Sequence, residues 1–321
     1  MDTSRPLSAG SISLRLYPHR ELSTREIVRE LRDQAVLGTE AGFDGVMTSE
    51  HHGGFAGYMP NPLQAAGWLL EAMPSGWAAA CPLLVTLRPP ALVVEEVAWL
   101  AARFPGRVGL GLAAGSLDAD FEIMGLTKDE LTRRFADAMA TVAGALGGTD
   151  PGLLGGDPAI AQCALDPVPV LSAAMSFTAV RRAAQLGVGL LFDSLSTPDR
   201  IRALSDAYRE SGGNRPCVLV RRAWVGTPPR DQVDRQTERY RGYAPAGAQV
   251  HWQGEQLVTA DDAGGVAEEL AAVMARAGVD ALNLRIHVPG VSPATARAQI
   301  TAMGDVVARL KQSTPDGSPP H

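Results

Sequence analysis

The sequence predicts a (β/α)8 TIM barrel with excursions after the fourth and seventh strands. Three observations carry this. Short apolar runs alternate with helix-patterned runs eight times along 321 residues. No Gly-x-Gly-x-x-Gly follows the first apolar run, which argues against the competing doubly wound sheet. The 34 glycines and 23 prolines gather between apolar runs, where short turns are needed.

Ser11–Leu16 reads as the first strand, and Ser23 with Glu26 forms a capping box that starts a helix ending at Gly42. Phe43–Ser49 is the second strand. Asn61-Pro62 opens the next helix, and Trp77–Val85 is a third strand in which Pro82 marks a local irregularity. Pro89-Pro90 opens a helix that Pro105-Gly106 closes, before strand four at Arg107–Leu112. A long helix is expected from Thr127 to Leu146, then a Gly/Pro/Asp-rich interruption from Gly147 to Pro167. Strands five, six and seven are Val168–Ala173, Gly189–Asp193 and Cys217–Val225, the first two followed by helices from Ser176 and Thr197. A polar helix covers 231–243, and 244–258 reads as irregular. Ala263–Ala277 is helical, Val279–Ile286 is strand eight, and Pro293–Leu310 is the last helix. One barrel domain over 11–311 is expected, with flexible tails at 1–10 and 312–321.

Hydrophobic residues make up 45% of the chain, enough to bury a full core. The net charge of −6 gives no electrostatic support to binding nucleic acid or an acidic membrane. Three scattered cysteines, without a CxxC, read as free thiols in a reducing compartment. The first ten residues have no apolar targeting region and no apolar run is long enough to span a bilayer, so a cytoplasmic location is expected.

A barrel gathers the C-terminal ends of its strands at one rim, so chemistry is sought there. The second strand ends in Glu50-His51-His52 and a glycine-bearing loop with Phe55 and Tyr58. Imidazole suits proton transfer near neutral pH, and Glu50 beside the pair could orient a ring; alternatively, one histidine packs and the other faces solvent. A metal site would need three or four converging ligands, and only His19 with Asp118 or Asp120 could join the histidines. Asp118 and Asp120 themselves read as a helix start or a surface pair. Ser176 and Thr178, after the small Ala173 and Ala174, make either a phosphate seat or an ordinary helix cap. Arg285 near the rim either holds an anionic substrate group or pairs with an internal carboxylate. Tyr58, Phe55 and Trp252 either wall an aromatic pocket or anchor loops.

Four blocks resemble the bacterial-luciferase-like monooxygenase family: AGFDGVMTSEHH with its following NP, PLLVTLRPPALVVEEVAWLAARFPGRVGLGLAAG, PVLSAAMSFTAVRRAAQLGVG, and AGVDALNLRI. Their order and spacing cover residues 11 to 310. The resemblance implies reduced FMN and O2 acting on a small organic substrate, a separate flavin reductase as partner, and a homodimer. It implies an acid/base role for His51; place at the rim itself puts Glu50 beside that histidine as a catalytic partner and His52, Tyr58 and Arg285 in a substrate pocket. Ala80 and Cys81 fall where the family supports the flavin ring, often through an unusual peptide bond. Ala174, Met175, Ser176 and Thr178 fall where it holds the phosphate. The chain departs from the family at Ala114, where luciferases carry a phosphate-binding arginine, and at Met175, which replaces a hydroxyl residue. Some relatives use the deazaflavin F420 for hydride transfer instead, often with Asp-His where this chain has Glu50-His51; a non-catalytic flavin-binding subunit is a third possibility.

Overall fold

The computed structural model describes residues 5–55, 57–242, 249–254 and 256–313. The strands are β1 (Ile12–Arg15), β2 (Gly45–Thr48), β3 (Trp77–Leu84), β4 (Val108–Ala113), β5 (Val170–Ala173), β6 (Gly189–Phe192), β7 (Cys217–Val225), β8 (Leu257–Ala260) and β9 (Ala281–Arg285). Seven of them, β1 to β7, pair in parallel in sequence order, and β9 pairs with both β7 and β1. These eight strands close a barrel.

The larger helices are α1 (Thr24–Glu40), α2 (Pro62–Ala72), α3 (Pro90–Arg103), α5 (Leu131–Leu146), α7 (Phe177–Gln185), α8 (Pro198–Glu210), α9 (Arg230–Arg241), α10 (Ala263–Ala277) and α11 (Pro293–Ser313); α4 (Asp118–Ile123) and α6 (Pro158–Gln162) are short. The α1 capping box forms as the sequence predicts, and Asn61 caps α2 with Pro62 in its first turn.

Alternation along each strand separates two cores. Outward residues such as Leu14, Val46, Ala78, Ala80, Leu110 and Leu284 pack against the helices. Inward residues Met47, Trp77, Ala79, Cys81, Leu171, Val218 and Ala281 fill the barrel. Gly45 is required by this filling: a Cβ there would lie 2.1 Å from the Trp77 ring.

Four elements differ from expectation. β8 is an additional strand on the far end of β7, with Arg222 to Val225 opposite Leu257 to Ala260. It is short and mostly half-exposed, so it carries neither a buried run nor a clean alternation. The helix expected from Thr127 begins at Leu131, because Glu130 sits at a left-handed φ of 52° that interrupts it. The loop before it contains α4, which begins at Asp118, the helix-start alternative for the Asp118 and Asp120 pair. Residues 5–10 are no loose tail: Leu7 is buried in the barrel interior, and Gly10 N–H donates to Asp280 O at 2.8 Å. Residues 1–4 and 314–321 lie outside the described residues, as do 244–248 and 255 within the segment expected to be irregular. The irregularity at Pro82 is a shift in the β3–β4 register between Ala80 and Leu83, and the Cys81–Pro82 peptide is cis. None of the described helices is long and apolar enough to cross a membrane.

Candidate active site

β2 ends at the rim and delivers Glu50, His51 and His52 with different neighbours. The His51 ring lies against Asp120 from α4, with Nδ1 2.7 Å from Oδ2. Asp120 is wholly buried, and its other oxygen accepts the His52 backbone N–H at 2.8 Å. Burial alone would raise the Asp120 pKa, but the His51 hydrogen bond and the His52 amide outweigh it and hold the carboxyl below its ordinary value. An ionised carboxylate only accepts, so Nδ1 of His51 carries a proton and Nε2 is set as the acceptor of the neutral ring. Phe55 and Tyr58 flank that ring, with centroids 4.8 and 4.5 Å away.

Glu50 serves the neighbouring imidazole. Its carboxylate meets His52 Nε2 at 2.8 Å, accepts the Leu84 N–H at 2.7 Å, and forms an ion pair with Arg88. Glu50 therefore stitches the ends of β2 and β3 together, and the His52 side chain is turned into that cluster.

Across the rim, Tyr58, Tyr240 and Arg285 form a chain: the two phenol oxygens lie 2.8 Å apart, and Arg285 Nη2 donates to Tyr240 Oη at 2.6 Å. The Arg285 guanidinium also sits over Tyr17, which stacks on His287. Burial works against the Arg285 charge, but Tyr17, Tyr240 and Tyr58 raise its pKa above the ordinary value. Burial likewise opposes the Tyr240 phenolate, yet Arg285, the Tyr58 bond and Arg222 bring its pKa down. His287 is held well below the usual imidazole value by burial, with His19 and Arg285 adding to the effect, and stays neutral at pH 7.

The remaining candidates divide by position. Cys81 faces the barrel interior, and its carbonyl accepts from Arg15 Nη1 at 3.0 Å; burial pushes its thiol up to about 12. The Ala80 side chain packs outward against the helices, because strand alternation sends it to the opposite face from Cys81. Ala114 is half-buried, and its carbonyl accepts from Thr86 Oγ1 at 2.6 Å. Ala174 is buried, Met175 half-buried, and Ser176 and Thr178 exposed; Ser176 Oγ caps α7 by accepting the Ala179 N–H. Trp252 lines, with Arg222, Thr237 and Leu257, a cavity of about 660 Å³ between α9 and β8.

Three residues of the site carry little local signal in the sequence. Asp120 and Asp118 look alike as a helix start or surface pair, yet only Asp118 is exposed, paired with Lys128. Arg200 of α8 reaches back over the start of α7: Nη2 donates to Met175 O at 3.1 Å, and the guanidinium lies over the Phe177 ring. Its Nε is buried with no hydrogen-bond partner among the described residues. Tyr240 lies within the polar α9 and carried no sequence signal. No group of three or more His, Cys, Asp or Glu converges as a metal site among the described residues.

Fold and rim together define a parallel (β/α)8 protein whose second strand presents a carboxylate-held histidine. Residues 12–309 match the family model for luciferase-like monooxygenases, and the chain belongs to that family. An alkanal monooxygenase alpha chain of Photorhabdus laumondii is 29% identical over 109 residues, 34% of this chain and 30% of that relative. The chain thus matches about a third of the length of these curated relatives. Among solved structures, a monooxygenase of Streptomyces bottropensis superposes with a TM-score of 0.74 at 14% identity, covering 93% of this chain and 99% of that one. The oxygenating constituent of 3,6-diketocamphane monooxygenase from Pseudomonas putida, in complex with FMN, gives 0.73 at 16%, covering 94% and 98%. An F420-dependent secondary alcohol dehydrogenase gives 0.70 at 18%, covering 94% and 99%. At these identities the likeness is one of fold.

Proposed function

We propose that the protein is the oxygenase of a two-component system, taking reduced FMN from a separate reductase and using O2 to oxygenate a small organic substrate. The observation that carries this reading is the His51–Asp120 pair at the rim of a luciferase-like barrel. Residues in the structure fit a flavin phosphate. The exposed first turn of α7 offers the Phe177 and Thr178 backbone N–H groups, which precede its first intrahelical bonds. The orphaned Nε of Arg200 adds a cation beside them, in place of the arginine missing at Ala114.

When bound, reduced flavin supplies the electron pair with which O2 is split between substrate and water. Asp120 fixes the tautomer and orientation of His51, which holds and returns a proton at the reacting centre. Glu50 acts as a positioning residue, holding His52 and the end of β3. The Phe55 and Tyr58 rings limit water around His51. A homodimer belongs to the same reading and is supported by Leu92 and Trp99, exposed one above the other on α3. The free, buried cysteines support a reducing, cytoplasmic setting.

The test supplies chemically reduced FMN under O2 and measures labelled oxygen entering product from a substrate panel. Reduced F420 without O2 is the parallel arm. Oxygen incorporation that His51→Ala abolishes supports the proposal. Turnover only with reduced F420 assigns hydride transfer instead, and no flavin affinity at all refutes both enzymatic readings.

A further inference from the structure

We propose that Arg222 and Arg285 together form a seat for a carboxylate carried by the substrate; this deepens the oxygenase reading and rests on it. The two residues are direct register partners on β7 and β9. Both side chains take the inward phase, two residues beyond Val220 and Asn283 respectively. Each is only 4% exposed. Two adjacent guanidinium groups removed from water demand compensation, and an acidic side chain is the usual solution. Among the described residues, the hydrogen-bond partners of the two are an amide and two hydroxyl oxygens, with no carboxylate. For Arg285 the described residues supply the Tyr240 hydroxyl and no internal carboxylate.

What surrounds them instead is neutral and incomplete. Arg222 donates to Thr237 Oγ1 at 3.1 Å and Gln236 Oε1 at 3.0 Å, and Arg285 donates to Tyr240 Oη. The Nε of each is buried without a hydrogen-bond partner among the described residues. A Tyr240 phenolate could offset one charge, and the second would still stand among amides and hydroxyls. By contrast, each of the three guanidinium nitrogens of Arg15, also in the barrel interior, has a partner: Asn283 Oδ1, Cys81 O and the Met47 sulfur. The site is therefore built with donors to spare at one place.

That place adjoins the proposed chemistry. Arg285 lies over Tyr17, Tyr17 contacts Tyr58 edge-on, and Tyr58 contacts His51. Tyr17 and Tyr58 thus link the pair to the His51 ring through successive contacts. The flavin phosphate has its own seat at α7, which follows β5, and β6 intervenes between that strand and β7. The cavity beside Arg222 offers a way in; the exposed Asp234 and Glu238 of α9 also line it, together with Arg230 and Arg241.

The experiment is calorimetric titration of the full chain with benzoate and octanoate, each against its neutral amide, in wild type, Arg222→Gln and Arg285→Gln. FMN and riboflavin are titrated in parallel. The wild type is expected to prefer the acids by about tenfold or more, as a charge-assisted bond provides. In each variant the preference should fall to about one while the FMN-to-riboflavin ratio holds. Equal binding of acid and amide by the wild type overturns the proposal, as do variants that keep the wild-type preference. Variants that lose the preference for FMN over riboflavin also overturn it, assigning the pair to the flavin phosphate. Should the glutamine variants not fold, Arg222→Lys and Arg285→Lys keep the charge and lose the fork; a several-fold weaker acid preference supports the seat and an unaltered one overturns it. Failure of the oxygenase reading appears separately, as absent FMN binding with the acid preference intact.

Discussion

Asp120→Asn separates proton chemistry from stability more cleanly than any other substitution at the rim. In the wild type, one carboxylate oxygen faces the His51 ring at 2.7 Å and the other accepts the His52 N–H at 2.8 Å. An amide has one acceptor and one donor. Its oxygen must stay on the His52 N–H, since two donors cannot face each other, so its NH2 turns to His51 Nδ1. That nitrogen then has to accept, and the neutral ring carries its proton on Nε2 instead. The size and shape at the site are unchanged, and the acceptor the ring offers has moved. Turnover with reduced FMN and O2 is expected to fall about a hundredfold to ten-thousandfold, the range of a lost general acid/base. FMN affinity should stay unchanged, because Asp120 contacts no part of the α7 seat. The lost charge-assisted bond costs about 1.5–3 kcal/mol, a decrease of a few degrees in Tm. The pH dependence has a definite sign. The Asp120 pKa is depressed in the folded chain, so its contribution is complete above the unfolded carboxyl value of about 3.9 and fades as pH falls through the lower folded value. The Tm gap between wild type and variant should be constant near neutrality and close in acid. Turnover equal to wild type, with a Tm gap that persists in acid, would refute the role assigned to Asp120.

Glu50→Gln should act mainly on stability. It leaves the Arg88 charge unpaired at a site where Glu50 is fully buried, so a loss of about 3–5 kcal/mol is expected in urea unfolding, with the pH profile of turnover unmoved. A shifted pH profile would instead return Glu50 to the chemistry. Arg200→Ala should weaken FMN about tenfold or more and leave riboflavin untouched, checked by quenching of flavin fluorescence; equal effects on both flavins would count against the phosphate seat. Gly45→Ala must push a methyl into the Trp77 ring and is expected to cost about 1–3 kcal/mol, read as a lower Tm with a blue- or red-shifted tryptophan emission. All three cysteines are buried, and burial pushes the Cys81 and Cys217 thiols up to about 12. Iodoacetamide at mildly alkaline pH should therefore label native protein slowly at all three and denatured protein fully; rapid native labelling at Cys81 would show an accessible, activated thiol.

The barrel was legible because closure depends on apolar runs and turn residues that alternate locally, such as the Ser23–Glu26 box and the Asn61-Pro62 start, and each of these forms as the pattern implies. β8 was not legible, since a short strand left half-exposed imposes no strict alternation on its residues. The site was legible only where chemistry is concentrated in one stretch, at Glu50-His51-His52. Its partners come from elsewhere: Asp120 is 69 residues from His51, and Tyr240 is 182 from Tyr58. Nothing local distinguishes Asp120 from Asp118, two positions earlier in the same helix. Their fates differ because the pitch of α4 turns one toward β2 and the other toward Lys128 and solvent. The same holds for the arginines of β7, where adjacent Arg221 and Arg222 fall on opposite sheet faces by alternation. Arg221 finds Gln256 and the Ser196 carbonyl outside the barrel, while Arg222 is sent inside to stand beside Arg285. A pair of buried charges with no carboxylate partner among the described residues is a costly arrangement for a fold to keep, and a carboxylate arriving with the substrate gives the chain a use for it.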